Sequence, residues 1–151
     1  MNWEFDICRK NRIILLKILD SFSTEDLNKI PDGFSNNLIW NIAHVIVTQQ
    51  LLTYNLSGLP MKVTGELVEK YRKGTKVERD ESQTEIEEIK SLVMSSLDEL
   101  EKDYNNGVFN SFKPYITSTN SNIKSIEEAI TFNLFHEGIH LGYILAMKKG
   151  I

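Results

Sequence analysis

The sequence contains only one cysteine, Cys8, among its 151 residues. A single cysteine excludes a disulfide bond within the chain and is compatible with a reducing cytoplasm. No histidine lies near Cys8 in the sequence to lower the pKa of its thiol. We therefore expect Cys8 to be a packed residue of the first helix rather than a nucleophile.

Long apolar runs are also missing. The first residues, MNWEFDICRKNR, carry charges where a secretory signal peptide needs an apolar segment, so we expect no signal peptide. The most apolar stretch, LIWNIAHVIVTQQLL, is interrupted by polar residues, and no apolar run reaches the length of a membrane span. We therefore expect a cytoplasmic protein with no membrane partner.

Positive charge is scarce as well. The formal net charge is -4, the pI is about 5.4, and the most basic stretch, KYRKGTK, is followed at once by ERDE. Binding to nucleic acid requires clustered lysine and arginine side chains that neutralise phosphates. We therefore expect no nucleic-acid partner.

Apolar residues recur at helical spacing in four segments. The predicted helices cover residues 2–21, Asn36 or Asn37 to about Leu56, Ser82 to about Asn106, and Ser125 to Gly150. Ser82 and Ser125 each precede a glutamate by three residues, which is the spacing of a capping box. A short helical turn is expected at Thr24–Lys29, and residues 107–122 are expected to form an irregular or partly extended loop.

These segments predict an all-α protein, a four-helix bundle that forms one domain over residues 1–151. The connection between the second and third helices, residues 57–81, is unusually long. It can easily span the ~30 Å length of a 20-residue helix. Helices two and three can therefore run parallel, joined by a long crossover.

The chain has three histidines, His44, His136 and His140. His136 and His140 are one turn apart on the predicted fourth helix, so their side chains share a face. His44 lies in a helix that is apolar almost all round, where a buried imidazole needs a partner. We predict that all three bind one metal ion in the bundle core, and a hydrogen-bonded core histidine is the alternative for His44.

The segment HEGIH has the H-E-x-x-H spacing of zinc proteases. Those enzymes take their third ligand from downstream, whereas the chain after His140 contains no histidine, aspartate or glutamate. The E-x-x-H spacing of di-iron bundles needs a second such motif, but Asn41 stands three residues before His44. We therefore reject both kinds of site, and His44 is the candidate third ligand.

A metal held by three histidines keeps at least one coordination position open, as catalytic sites do. That position can activate water for hydrolysis or hold a thiol for transfer. Glu137 and Tyr143 are the candidate catalytic residues, although Glu137 can instead face solvent or orient a histidine, and Tyr143 can be a packed aromatic. Three basic residues of the long connection can attract an anionic thiol: Arg72, Lys73 and Lys76.

Two motifs resemble those of the DinB-like bundles, which include YfiT-type metal-dependent hydrolases and thiol S-transferases. They are NLIWNIAHVIVTQQ, with Trp40 four residues before His44, and FHEGIHLGYI, with Gly142 two residues after His140. The resemblance covers essentially the whole chain. It implies an up-down-down-up bundle whose three histidines bind one divalent metal, nickel or zinc, and it implies a homodimer.

Two functional hypotheses follow. In the first, the protein is a metal-dependent S-transferase that uses a low-molecular-weight thiol on a small-molecule substrate, or a related hydrolase. In the second, it is a non-enzymatic dimeric bundle that binds a metal or a small ligand. The open coordination position favours the first hypothesis, and the lack of a clear general base keeps the second open.

Overall fold

The computed structural model describes all 151 residues of the chain. Its elements are α1 (Asn2–Ser21), α2 (Thr24–Asn28), α3 (Leu38–Gln50) with a π-helical turn (Leu51–Asn55), α4 (Gly65–Tyr71), α5 (Gln83–Asn105), β1 (Tyr115–Ile116), β2 (Asn122–Ile123) and α6 (Ile126–Met147) with a 3-10 turn (Lys148–Gly150). The chain is mostly helical, which confirms the predicted all-α bundle. None of the helices combines the length and apolar character needed to cross a membrane.

Serine caps begin the third and fourth long helices, as the sequence predicts. Ser82 and Glu85 form a complete capping box at the start of α5. At α6 the Ser125 side chain accepts a hydrogen bond from the Glu128 backbone N–H, but the Glu128 carboxylate accepts from the Lys124 backbone instead of closing the box. Both helices therefore start where their caps satisfy free backbone N–H groups.

The helix α3 is the most buried element of the bundle. Every residue from Leu38 to Val47 is buried, and most of them belong to a cluster of 19 buried apolar residues. The α-helical hydrogen bonding ends at Gln50, and the chain continues to Asn55 as a π-helical turn. The prediction of a helix to about Leu56 is therefore correct in extent, but its last five residues, Leu51–Asn55, are π-helical rather than α-helical.

Paired side chains show how the long helices run. Two contacts along each of three helix pairs give their relative directions. The contacts are Arg9–Glu101 and Asp20–Lys90 for α1 and α5, Gln49–Ser96 and Tyr54–Asp103 for α3 with its π-helical turn and α5, and Asn41–Met147 and His44–His136 for α3 and α6. Residue numbers run in opposite directions in the first and third pairs and in the same direction in the second. In chain order the four helices run up, down, down, up.

The long connection between α3 and α5 contains a helix that the sequence analysis did not predict. This helix, α4, is capped by Thr64 and buries Val68 and Tyr71 against the large apolar cluster. Its packing brings the end of α4 beside α3. The connection therefore supplies part of the wall around His44.

The segment before α6 forms a small antiparallel hairpin, in which Tyr115 pairs with Ile123 and Ile116 pairs with Asn122. This hairpin is the extended part of the loop predicted for residues 107–122. Its position places Tyr115 and Thr117 near the π-helical turn of α3. The hairpin and the crossover therefore flank the same end of the histidine cluster.

Candidate metal centre

The three histidines converge between α3 and α6. Because these helices are antiparallel, His44 of α3 meets the His136–His140 pair of α6, and the ring centroids are 4.5 to 5.1 Å apart. One potential ligand nitrogen from each ring lies within 4.8 Å of the other two. This arrangement is compatible with one metal ion bound by all three.

Hydrogen bonds to two of the rings select their tautomers. His44 Nδ1 lies 2.6 Å from the carbonyl oxygen of Tyr71, and His140 Nδ1 lies 2.9 Å from Asn41 Oδ1. Both oxygens accept, so each Nδ1 carries the proton and donates it. The Nε2 atom of each ring therefore carries the lone pair, in the arrangement common among metal-binding histidines.

His136 is the least satisfied of the three rings. Its Nδ1 is buried and has no hydrogen-bond partner in the chain. A buried polar atom without a partner costs roughly 1–3 kcal/mol. A metal ion bound through Nδ1 would offset that cost, so this nitrogen is a candidate metal ligand.

Burial keeps the three rings neutral. Burial, with smaller contributions from the neighbouring His140 and His44, lowers the pKa of His136 to about 3. Burial, with a smaller contribution from His44, lowers the pKa of His140 to about 4. Burial also lowers the pKa of His44, against the opposing hydrogen bond to the Tyr71 carbonyl. Neutral imidazole is the form that binds metals.

Trp40 packs against one face of the His44 ring. The two rings are stacked, with centroids 4.7 Å apart and an interplanar angle of 10°. Trp40 Nε1 in turn donates a hydrogen bond to Thr75 Oγ1 in the long connection, over 3.2 Å. One turn after His44, Thr48 Oγ1 lies 3.3 Å from His44 Nε2. The orientation of His44 is therefore fixed by contacts on several sides.

A cavity of about 270 Å³ opens beside the histidines. Its lining residues come from α3 and the π-helical turn, the crossover, the hairpin and α6: His44, Thr48, Leu51, Leu52, Asn55, Leu56, Lys73, Tyr115, Thr117, Ser118, Phe132 and His136. Lys73 is the only lining residue that carries a charge at neutral pH once the histidines are neutral. The cavity therefore combines an apolar wall, several hydroxyl groups and one cation.

Glu137 faces away from this cavity. Its side chain is 1 % exposed, and one carboxylate oxygen accepts from Arg12 at 2.6 Å and from Asn133 at 2.9 Å. Arg12 also donates to Gln49 and Ser96, so all four long helices contribute to one buried polar layer. The predicted catalytic role of Glu137 stays a prediction, while its observed contacts join α6 to α1.

Tyr143 does not line the cavity beside His44 and His136 either. It is exposed and makes an edge-to-face contact with Phe34, with ring centroids 5.8 Å apart. It lines a second cavity, of about 360 Å³, together with Asn41 and His140. Its predicted catalytic role therefore also stays a prediction, and the structure gives it a place next to one metal-ligand candidate.

Sequence reasoning missed the groups that orient the rings. Asn41 carried a signal, because a polar residue within a fully buried helix needs a hydrogen-bond partner. The Tyr71 carbonyl carried none, since every residue has a carbonyl group and only the fold of the long connection brings this one to His44. Lys73 was among three basic candidates, and the structure places it, but not Arg72 or Lys76, on the cavity beside His44 and His136.

Sequence comparison with known proteins identifies the family of the chain. No curated protein matches the chain. A sequence profile of the DinB superfamily matches residues 8–144, which include most of α1, all of α3 and α5, and all three histidines. Since the match covers most of the chain and the helices converge on the histidines of both motifs, the protein belongs to the DinB superfamily.

Proposed function

We propose that this protein is a metal-dependent enzyme that transfers a low-molecular-weight thiol to a small electrophile, with hydrolysis of a small molecule as the related alternative. The observation that carries the proposal is that two of the three converging histidines, His44 and His136, also line a ligand-sized cavity. A purely structural metal has no need of such a cavity.

The three neutral imidazoles are donors suited to zinc or nickel, and they leave at least one coordination position for a further ligand. A bound divalent ion supplies positive charge that lowers the pKa of a thiol or a water molecule next to it. The residues of this chain orient that centre: Asn41 and the Tyr71 carbonyl hold two of the rings by their Nδ1 atoms.

The cavity indicates the kind of molecule that enters it. Lys73 offers one ammonium group to an anionic part of the thiol or its acceptor, and Leu52 and Phe132 offer apolar surface to an uncharged part. Thr48 and Asn55 add hydrogen-bonding groups near the histidines. Filling the cavity displaces water, which favours transfer of the thiol to the acceptor over hydrolysis of the acceptor.

In the proposed transfer, the sulfur of the thiol forms a bond to an electrophilic carbon, and the bond from that carbon to its leaving group breaks. The electron pair of the broken bond departs with the leaving group, and the thiol proton is released. The products are a thioether and the protonated or anionic leaving group, so no oxidant or reductant is required.

The test is thiol-dependent turnover in protein loaded with zinc or nickel. A small anionic thiol and a chloroarene are mixed with the protein, and the thioether and released chloride are measured. We expect product to require both protein and metal, and to fall to background in His44→Ala that retains its helical circular dichroism. Turnover that persists in the folded variant contradicts the proposal. Metal binding without turnover on any electrophile or hydrolysable ester supports the non-enzymatic bundle instead.

A further inference from the structure

The histidine cluster lies between two cavities that share no lining residue. The second cavity, of about 360 Å³, is lined on α3 by Trp40 and Asn41, whereas the lining of the first cavity on that helix begins at His44. On the antiparallel helix α6, the lining of the first cavity ends at His136, and His140 lines the second cavity. The two cavities therefore approach the histidines from opposite ends of this helix pair.

The walls of the second cavity are aromatic and carry no ionic side chain. Three of the lining residues are aromatic: Phe34, Trp40 and Tyr143. None is an aspartate, glutamate, lysine or arginine. Phe34 and Tyr143 meet edge to face with ring centroids 5.8 Å apart, and Ile139 adds apolar surface beside them. A charged ligand would lose its hydration in this cavity without finding a partner, so the walls favour an uncharged ligand.

Two polar side chains of α3 in this wall are already hydrogen-bonded within the chain. Asn41 Oδ1 accepts from His140 Nδ1, and Asn41 Nδ2 donates to the Asn37 carbonyl at 2.9 Å. Trp40 Nε1 donates to Thr75 Oγ1. These groups have little left to offer a ligand, so a ligand is held mainly by apolar contact with the aromatic rings.

The volume of the second cavity suits a substituted benzene ring. A cavity of roughly 150 Å³ holds benzene, so a cavity of about 360 Å³ has room for the ring and its substituents. The aromatic walls, the absence of ionic side chains and the volume all point to the same class of ligand. That class is a small, uncharged aromatic molecule.

A ligand in the second cavity contacts the groups that orient two of the histidines. Asn41 holds His140 by its Nδ1 atom, and Trp40 stacks on His44 with ring centroids 4.7 Å apart. A ring packed against Asn41 and Trp40 shields the Asn41–His140 hydrogen bond from water and strengthens it. We propose that the second cavity binds an uncharged aromatic molecule and that this binding strengthens metal binding by the histidines. The strengthening is reciprocal, so the metal raises the affinity for the aromatic molecule by the same factor.

The fluorescence of Trp40 reports what enters the second cavity. The chain has one other tryptophan, Trp3, which is 70 % exposed, so Trp3→Phe removes the competing signal. Protein with this change is incubated with zinc and titrated with a chloronitrobenzene, without any thiol, and the signal is corrected for absorption by the probe. We expect saturable quenching of Trp40. The absence of saturable quenching, as when another chain already covers the cavity, overturns the proposal.

Two tyrosines distinguish the two cavities in this titration. Tyr143 lines the second cavity and is 56 % exposed, whereas Tyr115 lines the first cavity and is 43 % exposed, so neither change to alanine opens the core. We expect Tyr143→Ala to raise the dissociation constant of the chloronitrobenzene about tenfold and Tyr115→Ala to leave it unchanged. The reverse pattern places the probe in the first cavity and overturns the proposal.

A charged probe tests the class of ligand. The chloronitrobenzoate that differs from the first probe by one carboxylate should not enter the second cavity. We therefore expect its affinity to be the same in the wild type and in Tyr143→Ala. A benzoate that binds as tightly as the neutral probe, and loses affinity in Tyr143→Ala, overturns the assignment to uncharged molecules.

Removal of zinc with a chelator tests the link to the histidines. We expect the dissociation constant of the neutral probe to rise about fivefold without zinc, and saturation with the probe to raise the zinc affinity by the same factor. Equal dissociation constants with and without zinc overturn the link. Neither a thiol nor turnover enters these measurements, so their outcome is separate from the outcome of the transfer assay.

Discussion

At the scale of single residues, the histidine cluster depends on what each ring nitrogen contacts. The spacing of His136 and His140 and the apolar setting of His44 were sufficient to predict that the three meet, and the structure brings them together. The sequence did not reveal the hydrogen bonds that orient them, because one acceptor is a backbone carbonyl. The orientation of the His44 ring therefore depends on the fold of the connection rather than on any motif.

Removing the amide that orients His140 should weaken metal binding without unfolding the site. Asn41→Leu removes the acceptor of the His140 Nδ1 proton. Loss of such a hydrogen bond lowers metal affinity by roughly 10–100-fold in other proteins, and we expect a loss in that range here. Competition with a zinc chelator measures the affinity.

Asn55→Leu is the control for this change, because Asn55 lines the cavity but is not a hydrogen-bond partner of a histidine ring. We expect its zinc affinity to equal that of wild type. An unchanged affinity in Asn41→Leu, together with native helical content, would show that the hydrogen bond does not orient a ligand.

Lys73, the single cation on the cavity beside His44 and His136, gives a prediction about substrate charge. We expect Lys73→Ala to raise the KM for an anionic thiol about tenfold, which corresponds to about 1.4 kcal/mol of lost charge-assisted binding. The metal content and the KM for an uncharged thiol should not change. Lys76→Ala is the matched control, since Lys76 lies in the same connection but does not line this cavity. Equal KM values for the two variants argue against an anion site at Lys73.

At the scale of elements, local signals determined where helices begin and tertiary contacts determined the rest. The capping residues Ser82 and Ser125 mark the starts of α5 and α6 in the sequence. In contrast, α4 is only seven residues long and is stabilised by packing Val68 and Tyr71 against the core. The π-helical turn after Gln50 has no recognisable sequence signature, because its backbone differs from that of an α-helix only by about one extra residue per turn.

The buried polar layer between α1 and α6 is an element-scale feature with a measurable effect on stability. Glu137→Gln leaves the Arg12 guanidinium buried without its carboxylate. Removing one partner of a buried ion pair costs about 3–5 kcal/mol, so we expect a loss of this size in the free energy of unfolding. Urea denaturation followed by circular dichroism measures it.

Glu101→Gln provides the comparison for this measurement. Glu101 pairs with Arg9 on the partly exposed surface between α1 and α5. Surface ion pairs contribute at most about 1 kcal/mol, and we expect a loss no larger than that. If the two variants lose the same stability, the buried layer is not a principal contact between α1 and α6.

At the scale of the whole molecule, the polar layer divides the core. The larger apolar cluster surrounds α3, and a second cluster of seven buried residues, including Phe5 and Ile130, lies on the other side of Arg12. The sequence predicted the bundle and the crossover from helix lengths and loop length. It did not predict this division, because the layer joins residues from all four long helices that are far apart in the chain.

The histidine cluster has a similar dependence on the whole fold. His44 comes from a helix buried on all sides, and the other two histidines come from the last helix. The crossover and the hairpin supply part of the wall of the cavity. A metal bound there joins α3 to α6. The central claim of this account is therefore that one divalent ion binds per chain and that ligands on both helices are required.

Elemental analysis of the untagged protein, purified beside His44→Ala and His136→Ala, tests that claim most directly. We predict one zinc or nickel ion per wild-type chain and a loss from both variants, each with native helical content, because the ligands lie on different helices but share one site. Wild-type protein that holds no metal after incubation with zinc and nickel would contradict the account. So would a folded His44→Ala that keeps a full equivalent.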